Sequence, residues 1–174
     1  MISIVEQVYK KQMKALGWIY LVLFIGVIST VIFTMLLVSP ERLEIYENIQ
    51  PLVDISLLSL SLCLLLLVIP ITRIRLHSKD KVKNADAKTL ANWGVPDHVD
   101  PVLGRQAAFL TRYTAGCLVC WGVAAAIGLY GLIGQMFGSQ IVLTGIHLSA
   151  AVFVMIFFPP RKQMVRNFLE EFQR

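Results

Sequence analysis

The side chains able to do chemistry in this chain are few. Cys117 and Cys120 have the Cys-x-x-Cys spacing of a dithiol redox couple, and Cys63 stands alone. Redox chemistry needs a thiolate that an acceptor can reach. Both cysteines lie inside an apolar run, one to two turns past Arg112, and no second pair exists for relay. Small apolar packing residues are the expected role, and a quinone-linked dithiol is the alternative. His147 is the one histidine inside an apolar run. A haem held between helices needs a second axial ligand, and His77 and His98 fall in the polar middle of the chain. His147 therefore reads as a hydrogen-bonding group between helices, with haem ligation as the alternative. Asp97-His98-Val99-Asp100 offers donor atoms, but its spacing matches no established metal geometry, and Asp100 is better placed as a helix cap before Pro101. Neither a metal nor a cofactor is expected.

Between Ile55 and Thr72, and from Tyr113 to Phe158, there is no Asp, Glu, Lys or Arg. Ion-coupled transporters and proton relays depend on such groups inside the membrane. The chain also lacks a nucleotide-binding loop, an HExxH site and a serine nucleophile elbow. An enzyme acting alone is not expected. The net charge of +5 is accounted for by membrane orientation and anionic headgroups, so nucleic acid is not an expected partner.

The most patterned stretch is a run of small residues. Gly116, Cys120, Ala124 and Gly128 recur at every fourth position, with Gly122 and Ala126 beside them and Gly134 and Gly138 following. In lipid, small residues let helix backbones approach closely, so this stripe predicts a packing seam, within the chain or between subunits. Ala124-Ala125-Ala126-Ile127-Gly128-Leu129-Tyr130-Gly131-Leu132-Ile133 resembles the hairpin helices of rotary-ATPase proteolipids. In that family a carboxylate about one turn earlier binds the ion, whereas Trp121 to Ala126 has none. The resemblance spans about a dozen residues and implies a packing style without ion translocation. The run is also similar to those of uncharacterised four-span bacterial membrane proteins.

The elements that would carry these residues are plain from hydropathy. The chain is 56% hydrophobic, and its mean hydropathy is +0.68. Four apolar runs, about 16–38, 52–72, 113–136 and 141–158, each approach the roughly 20 residues that cross a bilayer. The expected fold is all-α: a single four-span membrane domain, 1–174, built as a four-helix bundle. Of the sixteen Lys and Arg, all except Arg42 fall on one side of these runs. By the positive-inside rule both termini and the loop 73–112 are cytoplasmic, in a bacterial inner membrane. The first run follows a charged helical stretch and lacks a cleavage site, so it reads as a retained anchor. With all three cysteines inside runs, no extracellular disulfide framework is indicated.

Around the spans, apolar spacing at Ile2, Val5, Tyr9, Met13 and Leu16 predicts an amphipathic helix leading into the first span. Gly17 and Gly26 are expected to mark close backbone approach. Ser39-Pro40 would stop the first span and open a short acidic surface helix, and Pro70 would kink or end the second. Pro101 to Met136 is too long for the membrane alone, so about three turns should project. Pro159-Pro160 should end the fourth span. Beyond it, Met164, Val165, Phe168, Leu169 and Phe172 form an apolar stripe flanked by Arg161, Lys162 and Arg166. This suits either a cytoplasmic amphipathic helix lying among headgroups or one docked on protein.

These features favour a non-catalytic membrane subunit or scaffold. Its packing residues would be Gly116, Cys120, Gly122, Ala124, Ala126 and Gly128. Its docking face would be basic, carrying Arg73, Arg75, Lys79, Lys81, Lys83, Arg161, Lys162 and Arg166. The expected partners are the lipid bilayer, anionic headgroups, and a protein partner or a second copy of the chain. A small oligomeric transporter or channel, with Ser29, Thr30, Thr34, Ser59, Ser61 and His147 facing a shared path, is the first alternative. A haem- or quinone-linked subunit using Cys117, Cys120 or His147 is the second.

Overall fold

A computed structural model describes residues 4–36, 49–77, 101–137 and 141–171, and all regular structure in them is helical. The helices are α1 (Ile4–Leu36), α2 (Gln50–His77), α3 (Pro101–Met136), α4 (Ile141–Phe157) and α5 (Lys162–Glu171). Among the described residues, four helices are long and apolar enough to cross a membrane. The chain is a membrane protein of four spanning helices, and its exposed surface shows why. Trp18, Val22, Ile32, Leu52, Ile55, Leu62, Val142 and Phe153 are all exposed, a surface that lipid solvates and water does not.

α3 is the hub, with α4 packed along it and α1 and α2 each laid against it. The α3–α4 hairpin has a strict antiparallel register. Gln135 meets Thr144 through a 3.2 Å hydrogen bond, and an added Cβ at Gly131 would lie 3.3 Å from Leu148. One turn on, such a Cβ at Gly128 would lie 3.6 Å from the Ala151 Cβ, and Trp121 then bonds the Phe158 carbonyl. Each step along α3 is answered by an equal step back along α4. The seam residues of α3 alternate by four and three, the repeat that keeps two helices in contact over their full length at a small crossing angle.

Several expectations are corrected in detail. As expected, α1 runs from Ile4 into the first span without a break, whereas α2 continues through Pro70 to His77. In a bilayer no water competes for the backbone, so a single proline costs the helix one bond without ending it. Arg73 and Arg75 consequently lie in the last turns of α2, so the start of the segment read as loop 73–112 is helical, while Arg105 and Arg112 lie in the expected projection of α3. Gly17 and Gly26 do not mark close approach: an added Cβ at either would meet nothing within 4 Å. The acidic segment around Ser39-Pro40, the Asp97-His98-Val99-Asp100 group, Lys79, Lys81, Lys83 and Gly138 lie outside the described residues.

α3 is 36 residues long, about 54 Å, against about 26 Å for the 17 residues of α4. Because Trp121 pairs with the end of α4, everything in α3 before it extends past α4. That projection is covered by α5, which runs on along it in the direction of α4, antiparallel to α3, and by the start of α1.

Candidate functional site

The basic end of the bundle is organised around a backbone problem set by the sequence. α4 makes its last regular bond from Phe158 N to Val154 O, and the next two residues, Pro159 and Pro160, have no N–H to give. The Met155 carbonyl thereby loses its ordinary donor, and the Phe158 carbonyl lies in the turn beyond. Unpaired carbonyls in an apolar setting are costly. One aromatic side chain from another helix replaces the donor lost at Met155, and a second bonds the Phe158 carbonyl in the turn. The Tyr20 hydroxyl of α1 donates to Met155 O at 3.0 Å, and the Trp121 Nε1–H of α3 donates to Phe158 O at 2.7 Å. Their rings meet edge-on, with centroids 5.3 Å apart. Trp121 is fully buried, so its ring also fills the junction of three helices.

The same device continues along the tail. The backbone N–H of Arg161 donates to the Tyr113 hydroxyl at 2.7 Å, and the Tyr9 hydroxyl donates to the Lys162 carbonyl at 2.9 Å. Near the end of α5, buried Gln106 donates from Nε2 to the Leu169 carbonyl at 2.9 Å. Between these points Phe168 stacks on Phe109 at 4.9 Å, and Val165 and Leu169 are buried. The apolar stripe of α5 is therefore turned onto α3 and α1, and lipid does not receive it. The outer face keeps Arg161, Lys162 and Arg166 exposed, beside Lys10, Lys11 and Lys14 of α1 and Arg105 and Arg112 of α3. Three cationic segments thus converge on one head, locked by five side-chain-to-backbone or backbone-to-side-chain bonds.

Tyr20 and Trp121 also mark a level. From Tyr20 to the end of α1, and from Trp121 to the end of α3, the helices match the length of α4 to within one residue. Aromatic residues with one polar tip concentrate at the membrane boundary. Trp18 points outward from the same turn of α1 and is 61% exposed. The head lies on the other side of this pair from the α3–α4 hairpin turn.

The other chemistry-bearing residues are less connected. Cys117 and Cys120 are buried free thiols, and Cys63 is free and exposed. Cys117 is buried one turn after Tyr113 on α3, within the packed interior. His147 is buried, and its Nδ1 lies 2.8 Å from the Leu143 carbonyl. A carbonyl only accepts, so Nδ1 carries the proton; Nε2 is buried with no hydrogen-bond partner among the described residues. Among the described residues, no three His, Cys, Asp or Glu side chains come together as a metal site.

Of the small-residue stripe, Gly116, Cys120, Ala124 and Gly128 are buried, and Ala126 is half-buried. Gly122 faces outward, where an added Cβ would meet nothing within 4 Å. Gly131, not singled out by the period of four, is the tightest contact: an added Cβ would sit 3.2 Å from the His147 Cβ. No family model, curated protein or solved structure matches this chain. The head is accordingly interpreted from its own geometry. Tyr9, Tyr20, Gln106, Tyr113 and Trp121 were not legible as functional positions from spacing. The available signal was the Pro-Pro pair, which creates carbonyls that something must satisfy.

Proposed function

We propose that the chain is a non-catalytic integral membrane subunit or scaffold whose basic head is its docking face. On this reading the head and both termini are cytoplasmic, the membrane is a bacterial inner membrane, and the head receives a protein partner or anionic lipid. The observation that carries the proposal is the convergence of α1, the projecting start of α3, and α5 on one clamp, with their apolar faces spent inward and their cations outward. A tail held at this many points presents its charges in fixed positions, which lowers the ordering cost of binding. The absence of Asp, Glu, Lys and Arg over Ile55–Thr72 and Tyr113–Phe158 fits an anchoring role. The proteolipid-like run from Ala124 to Ile133 supplies the α3–α4 hairpin seam.

Photocrosslinkers placed at Lys11, Gln163 and Asn167 in native membranes test this. Expected are discrete adducts from these head positions and none from Val22 or Phe153 on the lipid-facing surface. Adducts confined to the spans, together with solute uptake into proteoliposomes of the purified chain, would replace the scaffold by a transporter. Thiol labelling of a cysteine introduced at Asn167 in a cysteine-free variant, from either side of sealed vesicles, checks the orientation.

A further inference from the structure

Among the described side chains, the acids of the head are committed. Glu6 pairs with Lys10 and Glu170 with Arg166, each at 3.0 Å and each one helical turn away. Lys11, Lys14, Arg161 and Lys162 are exposed and have no carboxylate within salt-bridge distance among the described side chains. They are not scattered. The Tyr9 hydroxyl on the Lys162 carbonyl ties the α1 segment to the α5 segment at 2.9 Å. Lys14 stands six residues before Tyr20, about 9 Å along α1. Arg161 and Lys162 follow directly on the carbonyls that Tyr20 and Trp121 hold. Lys14, Arg161 and Lys162 are therefore within side-chain reach of the depth at which lipid phosphates lie, just outside the hydrocarbon, and Lys11 stands about one turn further out on α1.

We infer that Lys11, Lys14, Arg161 and Lys162 form a binding surface for the headgroups of anionic phospholipid. This rests on the reading of the head as the docking face and names its occupant. Four like charges gathered at one boundary repel one another unless anions neutralise them. A phosphodiester with net negative charge supplies that complement in place, and Arg161 can take it through two parallel N–H bonds. A zwitterionic headgroup brings its own cation and does not. A soluble acidic protein would have to reach these side chains between headgroups, which favours the lipid as occupant.

The test uses the full chain, reconstituted in nanodiscs of equal phosphatidylglycerol and phosphatidylcholine, extracted mildly, and weighed with its retained lipids by native mass spectrometry. Phosphatidylglycerol should be enriched at least about fivefold, the preference that one surface cation provides. The variant K11Q/K14Q/R161Q/K162Q should fall to near equality, whereas K10Q/R166Q, which removes cations already paired, should stay within about twofold of the parent. Helical content and elution volume show that both variants fold. Equal loss in both variants would overturn the site in favour of general basicity, as would an unenriched parent. Retained enrichment in the fourfold variant, with head crosslinks to a protein lost instead, would overturn the lipid assignment and leave the scaffold reading standing. Lost enrichment with those crosslinks intact supports it.

Discussion

Adding a single methyl at Gly131 tests whether the α3–α4 hairpin is the unit that holds the bundle. The Cβ of Gly131→Ala would lie 3.2 Å from the His147 Cβ and 3.3 Å from Cγ and Cδ2 of Leu148. The tip of Leu148 can swing aside, but the His147 Cβ is fixed to the α4 backbone, so the helices must separate by a few tenths of an ångström. Overpacking of this kind costs about 1–3 kcal/mol. The gain in helix propensity largely cancels, because α3 stays helical in lipid after it separates from α4. Gly128→Ala meets the Ala151 Cβ at 3.6 Å, an ordinary contact, and Gly122→Ala meets nothing within 4 Å. These two should change stability by less than about 0.5 kcal/mol. Equilibrium unfolding of the purified chain in mixed micelles, as the SDS fraction rises, ranks the three variants. Leucine at 131 should abolish the folded state that leucine at 122 leaves intact with its oligomer size unchanged. If Gly122→Ala costs as much as Gly131→Ala, the seam is not where the register places it.

Tyr20→Phe removes the donor to the Met155 carbonyl and should cost about 0.6–1.7 kcal/mol, as membrane hydrogen bonds do. That cost should shrink in a P159A/P160A background, where the backbone regains N–H donors; an undiminished cost in the same unfolding assay would refute the capping role. Phe168→Ala removes the stack on Phe109 and should raise amide hydrogen exchange across 162–171 at least about tenfold while leaving α4 protected; mass spectrometry of the exchanged peptides reads both. His147→Leu removes a buried, unpartnered Nε2 but keeps the Cβ that Gly131 contacts, so stability should rise by about 1 kcal/mol. A loss above about 2 kcal/mol would mean that Nε2 has a partner in the membrane, and a visible absorption band in the parent would name a haem.

The spans were legible because hydrocarbon imposes a one-dimensional rule: about twenty residues without charge. That rule located the apolar runs, and Pro101 marked the start of the overlong α3. It was less informative at the ends. Polar sequence at 73–77 does not end a helix whose backbone bonds already run through Pro70, so α2 extends into what hydropathy alone assigns to a loop. The small-residue stripe was visible, but its period was not decisive. Gly116, Cys120, Ala124 and Gly128 suggest every fourth residue, whereas the contacts with α4 run through Gly128, Gly131 and Gln135. On a helix these rows diverge by one residue per turn or two, and only the partner selects between them.

The clamp was illegible for a different reason. Its bonds join Tyr20 to Met155, Trp121 to Phe158 and Tyr9 to Lys162, and the acceptor in every case is a backbone carbonyl, which has no residue type. No spacing rule detects such a pair. What the sequence does contain is the demand for it. Two consecutive prolines at the end of a span remove two donors where water is scarce, so side-chain donors from neighbouring helices must stand at that depth. Tyr and Trp are the residues that combine an apolar body with one donor. Tyr20 meets that demand at the Met155 carbonyl, and Trp121 bonds the Phe158 carbonyl in the turn beyond. On the proposed reading of the head as the docking face, capping the end of α4 also sets the level of the protein in the bilayer, and the basic head takes its depth from it.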